Sequence, residues 1–182
     1  MLIGNKVALR EIRREDLSTM QSWRNDPALR SNFREFRALT ELNQERWFDK
    51  IVTSSPNHLS FSIEINKGLA GYAGLNYIDW QLRSGEFGIY LAPDNKRYNY
   101  RGKGNGKEAL LLLLQYGFQE VGLHKIWAEV FSFNSALGFY ESLGFVRDGV
   151  LRDNCFYDGR YHDSVLVSML ENEYRQQYQL KT

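Results

Sequence analysis

The run Arg101-Gly102-Lys103-Gly104-Asn105-Gly106-Lys107 places three glycines within five residues, flanked by cations, and leads straight into Glu108-Ala109 and Leu110–Leu114. Such a stretch reads as a loop feeding a helix N-terminus. There, unpaired backbone N–H groups and the positive end of the helix dipole hold anions, phosphates above all. Glycine lets the backbone approach a ligand closely, and Lys103 and Lys107 add charge. The plain alternative is a turn leading into a capped core helix. Two common phosphate loops fail on counting. A Walker A loop needs four residues between its glycines and then Lys-Ser/Thr, whereas three residues separate Gly102 from Gly106 and Lys107 precedes Glu108. A dinucleotide fingerprint needs its third glycine where Lys107 stands. The other reactive side chains are isolated. Cys155 has no histidine in a recognisable pairing, and His58, His124 and His162 lack zinc-ligand spacing, so neither a covalent cysteine nor a metal is expected.

The elements that must position this loop follow from periodicity. Val7–Ile12 reads as a first strand, and Leu17, Met20 and Trp23 as a short helix ending before Asn25-Asp26-Pro27. Thr40 is an N-cap for a helix through Trp47, Phe48 and Ile51. Between the two helices lies Arg30–Arg37, polar and aromatic together, which suits a pocket-lining loop. Phe61, Ile63 and Ile65 alternate with polar residues, and Asn66-Lys67-Gly68 turns into a strand from Leu69 to Ile78. A fourth strand, Glu86–Leu91, immediately precedes the glycine loop. After the loop come a helix apolar nearly all round, a strand through Ile126, Ala128 and Val130, a helix from Ser135 to Leu143, and two closing strands joined at Asp158-Gly159. This order describes an α/β domain with a mixed sheet.

Bulk composition narrows the class. A chain of 182 residues with 43% hydrophobic and 25% charged residues is ordinary for one globular domain. The formal net charge of +1 provides no general field for nucleic acid or an anionic membrane, so neither is an expected partner. A single cysteine fits a reducing compartment, the first fourteen residues are too charged for a secretion signal, and no apolar run approaches about 20 residues. A cytoplasmic protein is expected.

The spacing Arg101-x-x-Gly104-x-Gly106 between a strand and a long helix resembles the pyrophosphate loop of the GNAT acetyltransferase superfamily, which binds coenzyme A. Phe139-Tyr140-Glu141-Ser142-Leu143-Gly144-Phe145 resembles that superfamily's second motif. Gly149-Val150-Leu151-Arg152 and Asp158–Asp163 look like the branch that acetylates ribosomal-protein N-termini. The resemblance covers residues 7–170, the expected domain, with 171–182 left as a helical tail. It implies a single-domain, mostly antiparallel mixed sheet of about six to seven strands, splayed between the fourth and fifth and flanked by about four helices.

The resemblance further implies acetyl-CoA as co-substrate and direct attack of a primary amine on the thioester in a ternary complex. Backbone of Ile89, Tyr90 and Leu91 would receive the pantetheine arm, and Arg101, Gly102, Lys103, Gly104, Asn105, Gly106 and Lys107 the pyrophosphate. Because an alkyl amine with a pKa near ~10 is mostly protonated at neutral pH, a base is needed, and Glu129 and Glu86 are candidates. Glu129 matches the base position of the ribosomal branch; Glu86 opens the fourth strand. Tyr140 takes the general-acid position, alternatively reading as a core tyrosine on one face with Ala136 and Leu143. The family's cofactor-contacting asparagine lies seven residues before this tyrosine, where Phe133 stands; Asn134, one residue later, either takes that role or caps the helix. Within Trp23–Pro27 and Arg34–Arg37, the residues Asn25, Arg34, Glu35 and Arg37 either read a polar acceptor or are solvated loop charges. A small-molecule amine, an amino sugar or its nucleotide conjugate, a polyamine and a protein N-terminus all stay open as acceptors. Near-neutral charge disfavours a polyamine, and the arginines around Phe36 favour phosphate or carboxylate. The alternative class is a non-catalytic acyl-CoA-binding module. A monomer or homodimer is expected.

Overall fold

The computed structural model describes residues 1–94 and 98–179. Among these residues eight strands form one sheet: β1 (Leu2–Ile3), β2 (Ala8–Glu11), β3 (Leu59–Ile65), β4 (Gly68–Asp79), β5 (Ser84–Leu91), β6 (Lys125–Phe131), β7 (Val146–Tyr157) and β8 (Arg160–Leu170). Their order is β1-β2-β3-β4-β5-β6-β8-β7. The β5–β6 pair is parallel, while the ladders β1–β2, β2–β3, β3–β4, β6–β8 and β7–β8 are antiparallel. The mixed sheet is therefore as expected, with one strand more. The addition is β1, two residues long and too short to carry any periodicity. Strands expected as fourth and fifth are consequently β5 and β6. Their ladder has only three residue pairs, Ser84–Glu86 against Lys125–Trp127, a short join for strands of eight and seven residues.

The chain forms two compact units, residues 1–77 with 88–116, and residues 78–87 with 117–182. In the first, α1 (Leu17–Asn25) buries Leu17, Met20 and Trp23 along one stripe. The helix was expected to stop before Asn25, but it includes that residue, and the chain does not then simply turn. Asp26 is extended, its carboxylate accepts the Ala28 N–H, and Pro27 occupies the first helical position, so α2 (Pro27–Arg30) starts at once. Thr40 caps α3 (Glu41–Trp47) reciprocally with Asn43, as its position suggested, and a single π turn carries the helix on to Val52. Asn66 and Lys67, at φ 52° and 62°, give the β3–β4 hairpin its left-handed turn. The helix after the glycine loop is α4 (Asn105–Gln115), with Ala109, Leu110, Leu113 and Leu114 fully buried.

One buried ion pair braces this unit. Arg10, 6% exposed, forks onto both carboxylate oxygens of Asp16, 4% exposed, at 2.7 and 2.8 Å. Its Nε donates to Glu64 at 3.0 Å, and Asp16 also accepts from Ser62 Oγ and the Arg13 N–H, each at 2.9 Å. Every charged atom has a partner, as burial demands.

In the second unit, α5 (Ala136–Ser142) lies between β6 and β7 in the chain, and Asp158-Gly159 closes the β7–β8 hairpin with both residues at positive φ. Strand β7 is exposed over most of its length and shifts register twice against β8. A short α6 (Glu171–Tyr174) and a π turn to Gln179 follow. Among the described residues no helix is long and apolar enough to cross a membrane.

Candidate active site

The glycine loop is shorter than its residue types suggested: α4 starts at Asn105, which puts Gly106 and Lys107 in its first turn. Gly102 and Gly104 sit at φ 69° and 82°, a conformation that L side chains resist, and Gly104 is the N-cap of α4. A Cβ at either glycine would meet nothing within 4 Å, so backbone shape, not crowding, demands glycine there. Gly104 O accepts the Glu108 N–H at 3.0 Å, the first bond of the helix, which leaves the N–H groups of the first turn without helical partners. The loop is held from behind. Asn105 is buried and donates to Tyr100 O at 2.8 Å, and Asp94 accepts the N–H groups of Tyr100 and Arg101 at 3.2 and 3.4 Å. Lys103 Nζ donates to Asn99 O at 2.9 Å; Arg101 and Lys107 are exposed. Glu108 faces away, accepting the N–H groups of Lys6 and Val7. Open backbone donors, exposed cations and unobstructed glycines together fit a diphosphate. A polar cavity of about 450 Å³ flanks the loop, with Lys6, Asn66, Tyr100, Lys103 and Asn105 among its lining.

In the same unit, the end of β5 carries Ile89, Tyr90 and Leu91, all half-buried. Its backbone lies so close to Gly71 of β4 that a Cβ there would collide with Tyr90 O. The Tyr90 ring stacks on Tyr72 (5.6 Å, 19°) and takes the edge of Phe33 (5.5 Å, 83°). Burial pushes both tyrosine pKa values up. Of the acceptor-side candidates, Asn25 spends its amide on both polar groups of Leu39, at 2.7 and 2.9 Å, a structural use. Glu35 and Arg37 pair with each other at 2.6 and 2.8 Å; that hydrogen bonding draws the Glu35 pKa down to about 2. Arg34 is exposed and engaged. The residue missed is Arg24, whose guanidinium carbon lies 3.7 Å above the Phe33 ring centre. Its place in Trp23-Arg24-Asn25 was visible; its surroundings were not.

The second unit holds the remaining candidates. Tyr140, 9% exposed, sets its ring against the edge of Phe87 (5.0 Å, 84°). Burial pushes its pKa up to about 12, so the phenol keeps its proton at any physiological pH. Glu86 is buried and sits third in β5, because the strand starts at Ser84 and not at Glu86. Pairing sets Glu86 beside Trp127, and Glu129 lies two residues further along β6 on that same face. Phe87, which Tyr140 touches, points to the opposite face. The two carboxylates thus share one side of the sheet and the phenol takes the other. Glu129 accepts from Asn154 Nδ2 at 2.7 Å, a partner that sequence reading missed because it depends on the β7–β8 register. Asn134 Oδ1 accepts the Ala136 N–H at 2.9 Å, which is a capping use at the entry to α5. Burial, with the Glu129 charge, pushes the Cys155 thiol up and away from nucleophilic character. Among the described residues no three His, Cys, Asp or Glu side chains gather to hold a metal.

Comparison with known proteins identifies the family. The profile of the acetyltransferase (GNAT) domain matches residues 6–146. The uncharacterized N-acetyltransferase YokL of Bacillus subtilis is 29% identical, over 94% of this chain and 93% of its own. A crystal structure of spermidine N-acetyltransferase from Vibrio cholerae with CoA and spermine superimposes with a TM-score of 0.84 at 30% identity, covering 93% of this chain and 98% of that one. A dodecameric structure of the same Vibrio cholerae enzyme gives a TM-score of 0.80 at 28% identity, with 95% and 98% covered. The chain therefore belongs to the GNAT acetyltransferase family and is an N-acetyltransferase dependent on acetyl-CoA.

Proposed function

We propose that the chain acetylates a small primary amine by direct attack in a ternary complex. Bound acetyl-CoA would supply the thioester. The loop Arg101–Lys107 holds the pyrophosphate through first-turn N–H groups, and the backbone of Ile89, Tyr90 and Leu91 receives the pantetheine arm. Glu86 or Glu129 takes the proton that the attacking nitrogen loses. As the carbon–nitrogen bond forms and the carbon–sulfur bond breaks, Tyr140 gives its proton to the departing sulfur and regains one from solvent. The products are an N-acetylated amine and a free thiol. The observation that carries this reading is the sorting of groups across one sheet, with carboxylates on one face and a proton-retaining phenol on the other.

A small amine is favoured over a protein N-terminus, and over the ribosomal branch, because a structural relative with a named acceptor is a spermidine N-acetyltransferase. The dodecameric relative likewise favours an assembly larger than the monomer or homodimer expected from sequence. The test is thiol release from acetyl-CoA with a panel of amines. Tyr140→Phe should lower kcat by ~10²-fold, the low end for general acid catalysis because a thiolate already leaves well, with KM for acetyl-CoA little changed. Unchanged turnover across pH in that variant would remove Tyr140 from the chemistry.

A further inference from the structure

The first unit contains a cation without an anion. Arg24 is half-buried on α1, with one face of its guanidinium covered by Phe33. Its Nε–H is fully buried and hydrogen-bonds to nothing. Among the described residues it has no ion pair and no hydrogen bond; the carboxylate whose field reaches it, Glu35, is tied by three hydrogen bonds to Arg37. Burial pulls the Arg24 pKa down, yet guanidinium stays charged at any pH a protein tolerates. A desolvated cation with an unsatisfied donor is costly unless something pairs with it.

What pairs with it is set by shape. With Phe33 on its face and Nε enclosed, the guanidinium offers its two terminal nitrogens, a planar fork that matches the two oxygens of a carboxylate or phosphate. Tyr90 lies within electrostatic reach, its ring packs on the same Phe33 that covers the guanidinium, and its hydroxyl bonds to no described residue. Tyr90 also belongs to the strand end whose backbone the reading above gives to the pantetheine arm. A group held by Arg24 and Tyr90 is therefore one side chain away from the donor's path.

We propose that Arg24 binds an anionic group carried by the acceptor, so that the substrate is a primary amine bearing a carboxylate or phosphate, and not a polyamine. The proposal rests on the acetyltransferase reading above. A polyamine would bring further positive charge to an unpaired guanidinium, whereas an anionic amine would satisfy its fork.

The experiment compares kcat/KM for paired acceptors that differ only in the anion. Glucosamine 6-phosphate is set against glucosamine, a nucleoside-diphosphate amino sugar against its free sugar, an amino acid against its amide, with spermidine alongside. Wild type should favour the anionic member of at least one pair by about 10- to 100-fold, the worth of charge-assisted hydrogen bonds, and the pair that responds names the source of the anion. Arg24→Met should collapse that ratio towards unity, and Arg24→Lys, which keeps charge but loses the fork, should restore part of it. Tryptophan fluorescence, read near Trp23 and Trp47, should report saturable binding of the preferred anionic amine without acetyl-CoA, lost in Arg24→Met. Preference for spermidine or the neutral members overturns the proposal, as does a ratio that Arg24→Met leaves unchanged. If Arg24→Met does not fold, the wild-type ratio and Arg24→Lys decide. Failure of the acetyltransferase reading looks different: no thiol is released with any amine, whatever its charge.

Discussion

Arg10 and Arg24 occupy the same unit and are both withdrawn from water, yet their surroundings are opposite. Arg10 meets Asp16 in a fork, with Glu64 and Glu11 O taking further N–H groups. Arg24 meets a ring face and an orphaned donor. A saturated buried cation is a brace, because the fold has already supplied everything it can bind. An unsaturated one costs the fold stability and reserves its valence for something else. Stability and specificity are thus carried by the same residue type a short distance apart in sequence, and only the partners separate the roles.

The contrast can be broken most directly by deletion. Asp16→Ala strands Arg10 and should cost about 3–5 kcal/mol in urea unfolding, whereas Arg24→Met should change stability by less than about 1 kcal/mol, since it removes no hydrogen bond or ion pair and only the contact with the Phe33 ring. Comparable losses would make both arginines braces. Acid sharpens the difference. Burial alone would raise the Asp16 pKa, but hydrogen bonds from Arg10, the Arg13 N–H and Ser62, with the Arg10 charge, hold it below the ordinary carboxylate range. Its contribution is present above the unfolded pKa near ~3.9 and is lost as pH falls through the lower native value, so wild type and Asp16→Ala should converge in stability at strongly acidic pH. The exposed Glu35–Arg37 pair also has its carboxylate pKa depressed, but salt should erase that effect and leave the Arg10–Asp16 pair standing. The smallest effect concerns the loop. Gly104→Ala forces a methyl into φ 82° with open space around it, and should cost roughly 1 kcal/mol with a modest rise in KM for acetyl-CoA.

The loop and its strand were legible because glycine, lysine and strict alternation speak locally. So were the turns at Asn66-Lys67-Gly68 and Asp158-Gly159, whose Asn, Asp and Gly tolerate the positive φ a tight hairpin needs. The closing strand pair was legible from its turn, but the exposure and register shifts of β7 were not, since nothing periodic marks a strand that buries little. Asp26-Pro27 reads equally as the end of one helix and the start of the next, and α2 was lost to that ambiguity. Arg24 illustrates a deeper limit. A sequence names the residues present, but the significance of Arg24 lies in a carboxylate that tertiary packing does not bring to it.

Gly4 carries a consequence for the loop from outside it. Any side chain at that position would collide with Glu108, whose carboxylate is drawn by the Lys6 and Val7 N–H groups to the far side of the first turn of α4. Evicted, that negative charge would be released beside the helix's positive pole and would compete with a diphosphate for it. A side chain at Gly4, about a hundred positions upstream, should therefore raise KM for acetyl-CoA without touching the loop itself.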